Sequence, residues 1–100
     1  MAAFELARYR VDPENAEELV RRWETAVDAI GRSFPGLVDA NLARLDEQTW
    51  IDVWRWESAE AARAAAEGAP TVPEAAAMFS LIAEPLAMDH AEIVRAASVG

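Results

Sequence analysis

From Phe4 to Val11 apolar and polar residues mix at short period, as in a strand whose two faces differ. Asp12 and Pro13 follow as an N-cap with proline at the first helical position. Ala16, Leu19, Val20, Trp23, Val27 and Ile30 then recur at three- and four-residue steps. That spacing lines up one apolar stripe and leaves Glu17, Glu18, Arg21, Arg22 and Asp28 on the other faces of a helix. Gly31 is its predicted stop.

Phe34-Pro35-Gly36 reads as a turn, and Leu37 to Leu45 as a second extended run. Asp46-Glu47-Gln48 suits a hairpin loop to a third strand, Thr49 to Trp56, antiparallel to the second. Alternation there puts Trp50, Asp52, Trp54 and Trp56 on one face and Ile51, Val53 and Arg55 on the other. Ser58 caps a short helix, Ala59 to Glu67, which Gly68 and Pro70 terminate. Thr71-Val72-Pro73-Glu74 has the form of a capping box opening a further helical segment to about Ile82, with Pro85 as its breaker. Leu86 to Val94 is the last predicted strand. Met88, His90 and Glu92 share one of its faces, Asp89, Ala91 and Ile93 the other, and hydrophobicity does not say which turns inward.

The order strand, helix, strand, strand, helix, strand is that of an α+β, ferredoxin-like domain with a four-stranded antiparallel sheet. A chain of 100 residues supports one hydrophobic core, so residues 1–100 are expected to form a single domain. With 53% apolar and 27% charged residues it has the composition of a folded protein rather than a disordered one. Helices on one side of such a sheet leave the second side bare, and both sides here carry apolar residues. A two-fold partner packing against Ile51, Val53 and their neighbours is the simplest cover, so a homodimer is expected.

Charge and residue types narrow the chemistry. A net charge of −9 repels phosphate backbones and anionic membrane surfaces, which argues against nucleic acid and membrane as partners. No apolar run approaches the length of a bilayer span, and Met1-Ala2-Ala3-Phe4-Glu5 lacks the basic leader and apolar run of a signal peptide; a cytoplasmic location is expected. There is no cysteine, hence no thiolate chemistry, and all nine basic residues are arginine, hence no lysine Schiff base. The scattered glycines form no phosphate loop, and one histidine with dispersed acids is not a metal set. The alanine-rich, lysine-free composition is ascribed to a GC-rich genome.

The opening Arg8-Tyr9-Arg10-Val11-Asp12-Pro13, the Phe34-Pro35-Gly36 turn and Trp54-Arg55-Trp56-Glu57-Ser58-Ala59-Glu60 resemble the antibiotic biosynthesis monooxygenase family of dimeric α/β barrels across nearly the whole chain. That resemblance implies a cavity between the sheet and the helices. It implies as activity the cofactor-independent oxidation of an aromatic, polyketide-like small molecule. Haem-degrading members are set apart by an asparagine in strand one, a tryptophan in the short helix and a following histidine. Here Tyr9 stands at the first place, and alanines, Val72, Pro73, Glu74 and Met78 span the others. The alternative is a non-catalytic binding or accessory protein on the same scaffold.

Within that frame Trp50, Trp54, Trp56 and Tyr9 are the candidate substrate-binding residues, because indoles stack planar rings; plain core packing is the competing role. Asp52, between the indoles, needs a partner if buried, and Arg8, Arg10, Tyr9, Asn41 and His90 are the candidates. His90 is the one side chain whose ordinary pKa suits proton transfer near neutrality, against the commoner structural role of a lone histidine. His90, Asp52 and Asn41 are thus the candidate catalytic residues, and no cofactor is expected.

Overall fold

A computed structural model describes residues 1–100. Strand β1 (Ala3–Val11) leads through a 3-10 turn, Pro13–Asn15, into helix α1 (Ala16–Ser33). The hairpin of β2 (Leu37–Arg44) and β3 (Thr49–Trp56) follows. After it come α2 (Ala59–Gly68), a 3-10 turn (Ala69–Thr71), α3 (Pro73–Phe79) and the last strand, β4 (Ile82–Glu92). The four strands form one antiparallel sheet in the order β2-β3-β1-β4, the ferredoxin-like α+β arrangement, with β2 and β4 as its edges.

Several local signals act differently from the sequence reading. Gly31 lies inside α1, which runs on to Ser33 and stops at an extended Phe34. The stop comes from Pro35, whose ring excludes helical geometry from the residue before it. Asp12 makes no side-chain cap, and the chain first turns as a 3-10 segment. The Thr71 capping box does not form: its hydroxyl donates back to the Gly68 carbonyl at 2.6 Å, and Val72 stands at the N-cap of α3. That helix ends at Phe79, and Ile82 already belongs to β4. Pro85 breaks no helix; it sits in the edge strand opposite Tyr9, at a shift of register where a missing N–H is tolerated. Ser58 does cap α2, accepting from the Ala61 N–H at 3.1 Å.

Two glycines permit close approaches between elements. A β-carbon on Gly36 would stand 2.6 Å from that of Ala61, and one on Gly68 would stand 2.5 Å from the Phe34 ring. Gly36 thus lets the turn after α1 lie against the first turn of α2, and Gly68 leaves room for the Phe34 ring against the end of that helix.

The pairing register sorts every strand residue onto a face. Ala3, Glu5, Ala7 and Tyr9 of β1 lie beside Trp56, Trp54, Asp52 and Trp50 of β3. They also lie beside the β4 face carrying Glu92, His90 and Met88. This is the helix-covered face: Tyr9, Val11 and the three β3 indoles make one core with Leu19, Ala26, Ala29 and Ile30 of α1, Ala62 and Ala65 of α2, and Ala75 and Met78 of α3. Phe4, Leu6, Ile51 and Val53 occupy the opposite face, half-buried and outside that core.

Candidate functional site

Between the sheet and the helices lies a cavity of about 300 Å³. Its floor is Glu5, Ala7 and Tyr9 of β1 with Asp52, Trp54 and Trp56 of β3. Its roof includes Ala65, Ala66 and Ala69. Methyl side chains over large indoles leave unfilled volume, so the alanine bias of α2 has a structural consequence whatever its genomic origin. The Trp54 and Trp56 rings run nearly parallel, 12° apart with centroids at 6.4 Å, and Trp23 from α1 meets Trp54 edge-on at 6.3 Å.

Asp52 is 3% exposed and has no cation beside its carboxylate. Its partners are all neutral donors: the Tyr9 hydroxyl donates to Oδ2 at 2.6 Å, and the Trp23 and Trp54 indole N–H groups donate to Oδ1 at 2.5 and 2.8 Å. Of the partners foreseen, only Tyr9 is used. Burial raises the Asp52 pKa, and the three donors pull it back down. Burial and the adjacent carboxylate also drive the Tyr9 phenol far above its usual range, so Tyr9 holds its proton and serves as an anchor for Asp52. A carboxylate offers about four acceptor positions, and three are taken. One acceptor position at Oδ2 remains on the cavity wall.

The second carboxylate of the cavity is Glu5. Its Oε2 lies 3.1 Å from His90 Nε2, across the β1–β4 pair. Burial raises the Glu5 pKa most, Asp52 adds to the rise, and His90 and the Trp56 N–H oppose it. That indole N–H favours ionised Glu5 although it meets no acceptor in good hydrogen-bond geometry. The Glu5 side chain is 13% exposed and that of His90 31%.

The structure thus brings Tyr9, Asp52, Trp54 and Trp56 together around one cavity. His90 is on the inward face but does not line the cavity; it stands behind Glu5 and lines a separate outer cleft with Ala59, Glu60 and Arg63. Asn41 is a correction: it pairs opposite Val53, so its side chain lies on the far face, exposed and away from the cavity. Trp50 is a second correction. It is buried on the inner face but outside the cavity, with the Arg44 guanidinium 4.7 Å over its ring and its own N–H unpartnered. Trp23 and Glu5 were missed as site residues. The first was counted only as a member of the α1 stripe, and the second stands in phase with Ala3, Ala7 and Tyr9, a parity that places a carboxylate on the inner face. No three carboxylate or imidazole groups converge to hold a metal ion.

An antiparallel ferredoxin-like sheet roofed by short helices over an indole-walled cavity defines the class. The chain belongs to the antibiotic biosynthesis monooxygenase family, whose model matches residues 3–77. No curated protein matches it in sequence. Among solved structures it is similar to SnoaB, a cofactor-independent oxygenase from Streptomyces nogalater, with TM-score 0.68 and 18% identity over 98% of this chain and 96% of that one. Rv0793 from Mycobacterium tuberculosis matches with TM-score 0.68 and 17% identity over 98% and 100% of the two chains. NE2512, a protein of unknown function from Nitrosomonas europaea, matches with TM-score 0.69 and 14% identity over 99% and 95%. At these identities the likeness is one of fold. No helix is long and apolar enough to cross a membrane.

Proposed function

We propose that the chain is a tailoring monooxygenase that oxidises a planar aromatic, polyketide-like molecule with dioxygen and without a cofactor. The observation that carries this reading is the cavity itself, in which an aromatic wall meets a buried carboxylate with one acceptor position open. Its volume is at the lower end of the roughly 300–1,000 Å³ of ligand sites. Family membership and the likeness to a cofactor-independent oxygenase support the same reaction class.

In this reaction an activated methylene, as in an anthrone, loses a proton to a cavity carboxylate. The carbanion gives its electron pair to dioxygen, a C–O bond forms, and the peroxide takes up a proton. Loss of water from the hydroperoxide breaks the O–O bond and leaves a carbonyl, so one oxygen atom enters the product and the other leaves as water. Asp52 accepts from a substrate hydroxyl and orients the ring against Trp54 and Trp56. Asn41, on the far face, has no part in this.

The test is dithranol, a simple anthrone, incubated aerobically with the purified protein: the expected result is faster quinone formation and dioxygen uptake than in protein-free buffer. If dithranol binds and is not oxidised, the accessory reading replaces the enzymatic one. We further propose a cytoplasmic homodimer of this one domain, because Phe4, Leu6, Ile51 and Val53 form a sheet face that no helix covers. Ile51→Glu and Val53→Glu should each sediment as monomers. Dimers in both variants would put the interface elsewhere.

A further inference from the structure

We infer that Glu5 and His90 form a proton path between the cavity and the outer cleft, with Glu5 as the base that takes the substrate proton. The inference deepens the proposed function and rests on that reading of the cavity.

Three observations carry it. Glu5 lines the cavity, and His90 lines the cleft on the outer side, so the pair connects two spaces that have no lining residue in common. The two groups are 3.1 Å apart, close enough for direct transfer. Asp52, the other cavity carboxylate, has three of its acceptor positions occupied and no titratable route outward.

The proton passes from the substrate carbon to a Glu5 carboxylate oxygen, and from Glu5 to the imidazole at Nε2. The imidazolium then releases a proton from Nδ1 to water, and the starting tautomer is restored through solvent. No electron moves in these steps. The charged groups around the path are Arg8 from β1, Asp52 from β3, Glu60 and Arg63 from α2, Glu92 from β4 and the Met1 amino end.

His90 is the only histidine, so its imidazole nitrogen resonances report on this position alone. The first measurement is the NMR titration of His90 in the ligand-free wild type and in Glu5→Gln, and the two curves should differ. The second uses dithranol under nitrogen. Its binding should drive His90 toward imidazolium in the wild type and not in Glu5→Gln. The third is aerobic turnover of dithranol by His90→Ala, which should fall 10-fold or more in weak buffer and recover with added imidazole, while Kd is unchanged.

Identical His90 titrations in wild type and Glu5→Gln overturn the path, even if dithranol is oxidised. So does a His90→Ala protein that turns over at the wild-type rate, or one whose lost rate imidazole cannot restore. A wild type that neither binds nor oxidises dithranol overturns the proposed function, and the path's substrate proton with it, whether or not the two residues titrate together.

Discussion

Asp52 and Glu5 lie on the same sheet face, beside the adjacent β1 and β3 positions Ala7 and Trp54, and both are carboxylates driven up in pKa by burial. Their surroundings part them. Asp52 is held by three neutral donors from β1, β3 and α1, none of which titrates near neutrality. Glu5 has one hydrogen-bonded partner, the His90 imidazole, which lines the outer cleft. A carboxylate held by neutral, non-titrating donors is a fixed acceptor that shapes a wall, whereas a carboxylate with a titratable neighbour can exchange protons. The same residue chemistry is thus divided between architecture and catalysis by the identity of its donors.

The comparison breaks hardest at Asp52. Asp52→Leu leaves the Tyr9 hydroxyl and two indole N–H groups buried without an acceptor. At about 1–3 kcal/mol for each unsatisfied group, removal of the buried carboxylate offsets only part of the cost. A net loss of about 3 kcal/mol or more is expected from urea unfolding. Asp52→Asn should retain most of that stability, because its carbonyl still accepts from Trp23 and Trp54 and its amide can donate to the Tyr9 oxygen. Equal stabilities for the two variants would show that donor satisfaction does not hold this wall together.

How much of this was legible in the sequence follows the same division. The parity of β3 placed Asp52 among Trp50, Trp54 and Trp56 on one face, because a strand has period two whatever its tertiary context. Parity could not say that Trp50 lies beyond the cavity under Arg44, since that depends on where the helices leave space. The third Asp52 donor, Trp23, arrives from α1, and the depth at which a helix side chain meets a sheet is not encoded in either element alone. Asn41 was misplaced for a local reason: a register shift between Leu37 and Asp39 sets which β2 residues face inward. The face of β4 was undecidable until pairing fixed His90 opposite Glu5. Helix ends were misread at Gly31 and Thr71, where the neighbouring prolines Pro35 and Pro73 set the boundaries that a glycine stop and a capping box were credited with.

A milder change tests whether the Asp52 network is shared or resides in one bond. Trp23→Phe keeps most of the ring against Trp54 and removes a single N–H donor from Oδ1. Loss of one hydrogen bond to a charged group is worth about 1.5–3 kcal/mol, partly recovered because two donors remain. With roughly 4–8 °C in Tm per kcal/mol for a domain of this size, a drop of several degrees is expected. The Asp52 pKa should rise further, since a donor that favoured the ionised form is gone. An unchanged Tm would mean that Tyr9 and Trp54 alone suffice.

The smallest effect is expected at Glu5, and its sign depends on pH. Because burial raises the Glu5 pKa above its ordinary 4.5, the folded chain holds this proton more tightly than the unfolded chain does. The stabilisation is therefore complete below pH 4.5 and is lost as pH rises through the folded value. Glu5→Gln mimics the protonated form and loses nothing on that rise. The variant should match the wild type in acid and be the more stable of the two at neutral pH, with the gap opening as pH increases. The hydrogen bond to His90 works against this trend, since it favours the ionised form of Glu5. Thermal melts from pH 4 to 8 separate the two effects. If Glu5→Gln is the less stable protein at pH 7, the hydrogen bond to His90 outweighs the burial of the carboxylate, and Glu5 belongs with Asp52 as a residue that holds the wall rather than one that moves a proton.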